Sequence, residues 1–233
     1  TSVKQFGAWL NQPVMRFNGK DGIEASSFLG YPWATKGGME WRDGMLPIGV
    51  RKGYLVTVDE VFKIPAGIQM AMQNLYEEGG YLTLDDNPDM SEKNVYPHDN
   101  FRMYLTDNVK GTGDDFDKFS ATQVQDSSTL DRFGITATVQ YLPHRDEVAM
   151  LHAKYPKVEE SVIKSLVRFA GLIRDSYAKG GLSLTISPRG LQTMCEVLMM
   201  DIKIEAAVKM VYLDKVGDMD ELTTANEAVR ACF

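Results

Sequence analysis

The chain has 233 residues and a net charge of −7, from 25 Lys and Arg against 32 Asp and Glu. A hydrophobic fraction of 44% argues against disorder, and no run of about 18 apolar residues exists to span a membrane. The acidic sum disfavours a protein that wraps duplex DNA, because neutralising phosphates needs clustered Lys and Arg. No charged-then-apolar leader opens the chain, so nothing points to secretion. Cys195 and Cys232 show no metal-ligand spacing, and two sparse cysteines fit a reducing cytoplasm. His98, His144 and His152 form no ligand pattern either. The charge is uneven: Asp85 to Arg132 holds eleven acidic and five basic residues, a local −6.

Val3, Phe6 and Leu10 recur at helical spacing, and Pro13 ends that helix. Val14 to Phe17 reads as a short strand. Residues 18 to 49 read as loop-rich, with seven glycines among aromatics such as Phe28, Trp33 and Trp41. Tyr54 to Val58 is apolar at nearly every position, as in a parallel strand buried on both faces. Pro65 starts a helix, Ile68, Met72 and Leu75 continue its stripe, and Gly79-Gly80 stops it. Tyr81 to Leu84 is a short strand, half of a hairpin. Phe101 to Thr106 and the β-branched Ile135 to Tyr141 are two more.

Pro143 marks a break. Helical patterns then follow over 147–155, 159–177, 188–200, 202–213 and 223–231. Strands alternating with helices, then helices alone, predict an α/β sheet domain over 1–142 and a small helical domain over 143–233.

Two motifs fail. Asp85-Asp86-Asn87-Pro88-Asp89 begins like a calcium loop, but Met90 and Tyr96 stand where Gly and Glu are needed. Gly111-Thr112-Gly113 lacks the third glycine of a dinucleotide fingerprint, and no helical pattern follows it.

One motif holds. The apolar strand closes on Asp59-Glu60, and ligands of open α/β sheets gather at the carboxyl ends of strands. One carboxylate there can hold Mg²⁺ through its water shell while its neighbour orients an attacking water. Adjacent strand residues point to opposite faces, so two separate roles are natural. The neighbouring strand ends in Asp107-Asn108, whose amide could hydrogen-bond a water lying beside Glu60. Leu130-Asp131-Arg132-Phe133 comes next. In the helical part, Ser187-Pro188-Arg189 opens a helix with Pro188 at its first position.

In this order the residues resemble an AAA+ ATPase. More narrowly, they resemble the MoxR branch and the CobS-type small ATPase subunit of aerobic cobaltochelatase. Trp41-Arg42-Asp43-Gly44-Met45-Leu46-Pro47, the Asp59-Glu60 strand, the 111–114 loop, Leu130 to Phe133, Tyr141-Leu142-Pro143-His144 and Ser187-Pro188-Arg189 carry the resemblance. It implies a P-loop NTPase fold, a three-layer αβα sandwich with a C-terminal α-helical lid.

The resemblance also implies roles. Asp59 would be the Walker B aspartate on Mg²⁺, and Glu60 the catalytic glutamate. Asn108 would be sensor 1, Arg132 an arginine finger acting on the next subunit, and Arg189 sensor 2 on bound ATP. The implied assembly is a homo-oligomeric ring, a hexamer, working on a partner with a von Willebrand A-type domain. In the cobaltochelatase setting, the work would be cobalt insertion into a corrin.

Two departures stand out. Asp107 replaces a small residue of the family pattern, adding a carboxylate that either perturbs the site's charge or points to solvent. GxxxxGK[ST], the phosphate-cradling loop, occurs nowhere. A family chain carries it just before the first helix, so the expectation is a chain that begins at the end of that loop, with Thr1 a candidate Mg²⁺ hydroxyl. A second reading is a nucleic-acid or defence motor on the same fold, drawing on Lys36, Arg42, Arg51 and Lys52.

Overall fold

The computed structural model describes residues 2–20, 22–108 and 131–233. Thr1, the 111–114 loop and the acidic Asp114, Asp115 and Asp117 lie outside them. The chain divides into two compact units, 1–137 and 138–233.

The first unit is organised by β4 (Leu55–Asp59), paired in parallel with β1 (Val14–Asn18) on one side and β7 (Arg102–Thr106) on the other. Leu55, Val56 and Val58 are fully buried, as an apolar strand covered on both faces requires. The register aligns Asn18, Asp59 and Thr106 across the three strands, and Arg16, Thr57 and Tyr104 two positions earlier. Three strand ends therefore meet at one edge.

Helix α1 (Ser2–Trp9) covers one face: Gly7 sits against Val14 and Leu55, and the Phe6 ring meets Tyr104 edge-on at 6.3 Å. On the other face, α3 (Met45–Lys52) and α4 (Ala66–Gln73) contribute Leu46, Val50, Ile68 and Met72 to a core shared with Val56 and Val58. Gly53 at φ 69° closes α3 in the left-handed conformation.

Three expectations change here. The stretch read as loop-rich contains α2 (Ala25–Phe28) and an antiparallel hairpin, β2 (Gly30–Thr35) and β3 (Gly38–Asp43). Helix α4 ends at Gln73, before the glycines, and tightens into a 3₁₀ turn over Asn74–Tyr76. The strand expected over 135–141 does not form, and Ile135 and Val139 stand 94% and 93% exposed. β-branched residues favour a strand, but backbone N–H and C=O groups need a partner ladder, and among the described residues β7 pairs only with β4. The short strand near residue 82 is half of a hairpin, β5 (Leu82–Thr83) with β6 (Asn94–Val95).

The second unit is helical: α5 (His144–Lys154), α6 (Glu160–Ala178), α7 (Pro188–Leu198), α8 (Ile204–Val211) and α9 (Met219–Cys232). Ile163, Leu166, Val167, Ala170 and Ile173 form the buried stripe of α6, at the spacing one helix face demands. They close on Leu151, Leu191, Met194 and Val208. The Asp218 carboxylate caps α9, accepting from Asp220 N at 2.9 Å and Glu221 N at 3.0 Å.

Candidate nucleotide site

Asp59 is the last residue of β4, and its two carboxylate oxygens are taken from opposite sides. On the β1 side, the Arg16 guanidinium reaches Oδ2 through Nε and a terminal nitrogen. On the β7 side, the Thr106 hydroxyl donates to Oδ1 at 2.7 Å. Strand register produces this directly, since Arg16 and Asp59 share a sheet face two positions apart. The Asp59 backbone is held as well: Gly19 N donates to its carbonyl at 2.6 Å. A Cβ on Gly19 would come within 2.3 Å of the Glu60 carbonyl oxygen, so only glycine permits this close pass.

Glu60 does not continue the strand. Its φ of 54° and ψ of 45° put it in the left-handed region, which is uncommon for a residue with a Cβ. The expectation that Asp59 and Glu60 take opposite faces of a strand is corrected: a sharp turn, not the pleat, separates them. After the turn, Lys63 Nζ pairs with Glu60 Oε2 at 2.9 Å. The next 3₁₀ turn, Val61–Lys63, is tied to β7, because Phe62 N donates to Asp107 Oδ2 at 2.9 Å. Asp107 Oδ1 accepts from Asn108 N at 2.8 Å. The extra carboxylate thus caps backbone between two strand ends instead of pointing free into solvent. It also sets exposed Asn108 at the tip of the strand beside Asp59 and Glu60.

Arg132 lies at the other end of α4 from this turn. Its Nη1 donates to Gln73 Oε1 at 2.8 Å, and its Nε pairs with Glu77 Oε1 at 3.1 Å. Eight helical residues, about 12 Å of rise, separate the two ends of α4.

Arg189 belongs to the second unit, where it is exposed in the first turn of α7. Ser187 caps that helix, its hydroxyl accepting from Gly190 N at 3.4 Å. Arg189 and Lys215 border a cleft of about 350 Å³ with Thr185, Thr193 and Tyr212. Burial, with Glu221 nearby, pushes the Tyr212 hydroxyl up to about 12. The cleft wall is fixed by Arg174, whose Nε donates to the Ile186 carbonyl at 2.8 Å while its other nitrogens bind Glu147 at 2.7 and 2.9 Å.

The donors at the strand edge suit Mg²⁺. Asp59 and Thr106 offer hard oxygens, and no cluster of three or more His, Cys, Asp or Glu that could cage a metal occurs among the described residues. Mg²⁺ takes such sparse protein sites, keeping waters and phosphate oxygens for the rest of its octahedron.

Sequence reasoning missed Arg16, Thr106, Gly19 and Lys63. The pattern Arg-x-Asn-Gly at the end of β1 was the available signal, because a basic residue two positions before a parallel strand's end can face the neighbouring strand's carboxylate. Of the four basic residues set aside for nucleic acid, Arg51 is committed to Asp43 at 3.1 Å and Glu92 at 3.0 Å, and Arg42 stacks on Trp33 at 4.4 Å.

Residues 1–133 match the family described as AAA domain (dynein-related subfamily). The chain belongs to the AAA ATPase family. It is 30% identical over 240 residues to aerobic cobaltochelatase subunit CobS of Sinorhizobium sp, covering 99% of this chain and 71% of that one. It is also 30% identical over 199 residues to mouse von Willebrand factor A domain-containing protein 8, covering 80% of this chain but 10% of that one. A solved structure of a candidate ATPase from Cytophaga hutchinsonii overlaps 98% of the chain and 80% of its own, at 16% identity and a TM-score of 0.45. The family match over residues 1–133 makes the fold that of a P-loop NTPase, and the C-terminal part is helical. No helix among the described residues is long and apolar enough to cross a membrane.

Proposed function

We propose that this AAA ATPase is the motor of a hexameric ring that couples Mg²⁺-dependent ATP hydrolysis to remodelling of a partner protein. The observation that carries the reading is Asp59 held between Arg16 and Thr106 at the carboxyl edge of the sheet, with Glu60 turned off the strand beside it.

Phosphoryl transfer to water needs an aligned nucleophile and positive charge on the phosphates rather than covalent chemistry. Charge neutralisation at the phosphate oxygens is what Mg²⁺ supplies when bound, and Asp59 with Thr106 would hold it. Glu60 orients the attacking water and draws its proton. Lys63 holds Glu60 Oε2, and Oε1 is the oxygen offered to water. Asn108 donates its amide to the same water. Arg189 touches the nucleotide's phosphates, and Arg132 meets the nucleotide of the next subunit. Thr1 remains the proposed hydroxyl ligand.

The likeness to CobS supports a partner with a von Willebrand A-type domain, and cobalt insertion into a corrin as the work done. Two free thiols support a reducing, cytoplasmic setting.

The test is ATP hydrolysis by the full-length protein with and without Mg²⁺, and by Glu60→Gln. General-base replacements cost about 10²- to 10⁴-fold, so Glu60→Gln should hydrolyse at least ~100-fold more slowly while still binding ATP. Unchanged turnover in that variant would sink the reading.

A further inference from the structure

Gln73 at the end of α4, Tyr76 in the 3₁₀ turn after it and Glu77 in the extended residue beyond present one face. That face receives a dipeptide more than fifty positions further along. The Phe133 ring packs edge-on against Tyr76 at 5.1 Å. Beside it, the Arg132 guanidinium is held on two of its edges, Nη1 by the Gln73 amide oxygen and Nε by the Glu77 carboxylate. Among the described residues, its Nη2 makes no hydrogen bond.

A guanidinium fixed in this way differs from a surface arginine. Arginine's donors form a rigid planar fork, so fixing two of its nitrogens sets the direction of the third. The aromatic contact at the adjacent residue fixes the backbone from which the side chain extends. Arg132 is about one-third exposed and Glu77 about half, so the pair sits at a surface open to a neighbour.

We propose that Gln73 and Glu77 are positioning residues for Arg132, aligning its free edge for the phosphate of a nucleotide bound by an adjacent subunit. The proposal rests on the reading of Arg132 as an arginine finger. Its physical basis is preorganisation: a misplacement of about 1 Å in a transition-state contact can cost on the order of 100-fold. Holding the fork before the neighbour docks removes that ordering step from catalysis.

The experiment uses the full-length protein and ATP, with Arg132→Ala, Glu77→Gln, Gln73→Ala and the double variant Glu77→Gln/Arg132→Ala. Arg132→Ala should lose about 10³-fold in kcat, the scale of a removed arginine finger. Glu77→Gln and Gln73→Ala should each lose about 5- to 50-fold in kcat with KM within about twofold. Glu77→Gln should add nothing once Arg132 is gone. Mixing Glu77→Gln subunits with Glu60→Gln subunits should restore hydrolysis above either alone, because some interfaces then pair an intact Glu60 with an intact finger. A merely structural defect would not be rescued by mixing.

Wild-type turnover in Arg132→Ala would overturn the finger reading, and the proposal with it. An inactive Arg132→Ala beside wild-type turnover in both Glu77→Gln and Gln73→Ala would overturn positioning alone. Faster turnover in Glu77→Gln would make the carboxylate a brake and overturn it as well.

Discussion

The guanidinium of Arg16 rests on the carboxylate of Asp59, reaching across the β1–β4 pair. This arginine offsets the charge of the aspartate proposed to hold Mg²⁺. A cation arriving at Asp59 therefore displaces Arg16 or shares the carboxylate with it. Arg16 is 48% exposed, so water screens the pair and its contribution to stability is about 0–1 kcal/mol. Arg16→Gln should change the unfolding free energy by less than about 1 kcal/mol, yet lower the free Mg²⁺ needed for half-maximal ATP hydrolysis about two- to fivefold. A Mg²⁺ titration beside a denaturant melt checks both. A higher Mg²⁺ requirement in the variant would show that Arg16 assists the cation instead of competing with it.

The opposite regime holds in the helical unit. Glu147 is 1% exposed and Arg174 10%, and the two meet through paired bonds of 2.7 and 2.9 Å. Arg174 also covers the Tyr141 ring at 3.9 Å. Removing one partner leaves a buried charge unpaired. Glu147→Ala should therefore cost about 3–5 kcal/mol in the unfolding free energy of that unit. Replacing both partners by apolar residues of similar volume, Glu147→Leu with Arg174→Met, should recover at least about half of the loss. Chemical denaturation of the full-length variants measures both, and a loss below about 1 kcal/mol in Glu147→Ala would show that water enters the pair.

What the sequence made legible follows from where the information is local. Val56 and Val58 announce a covered strand because burial on both faces demands apolar residues in succession. Ile163, Leu166, Val167, Ala170 and Ile173 announce α6 because one face is dry. Ser187-Pro188 announces α7 because cap and first turn have their own chemistry. The β2–β3 hairpin was hidden because Tyr31, Trp33 and Met39 are exposed, which blurs the alternation; Gly37-Gly38 was its remaining turn signal. Residues 135–141 were misread because β-branching reports a preference, not a partner.

At the site, Asp59 and Glu60 were legible as a pair, but the left-handed turn at Glu60 was not, since glutamate gives no sign of it. Arg16, Gln73 and Glu77 act on residues 43, 59 and 55 positions away, and no local pattern carries contacts that distant.

The helical unit also carries a pH dependence. Burial, with the charge of Glu196 adding to it, raises the Cys195 thiol from 9.0 to about 11. Both thiol and Tyr212 phenol are neutral when protonated, and both are raised by burial. In the unfolded chain Cys195 releases its proton near 9; in the folded chain it holds the proton until about 11. Between those values the unfolded state binds fewer protons than the native one, so stability falls as pH rises. The contribution is present in full below about 9 and lost as pH rises through 11. Tyr212 repeats the effect between 10 and about 12. The unfolding free energy should drop by on the order of 2 kcal/mol between about pH 8 and about pH 10.5. Cys195→Ala should flatten the first part of that slope. Cys195 is fully buried, so a thiol reagent should reach it only on unfolding. Stability that held level to about pH 10.5 would mean that water reaches the thiol in the native state.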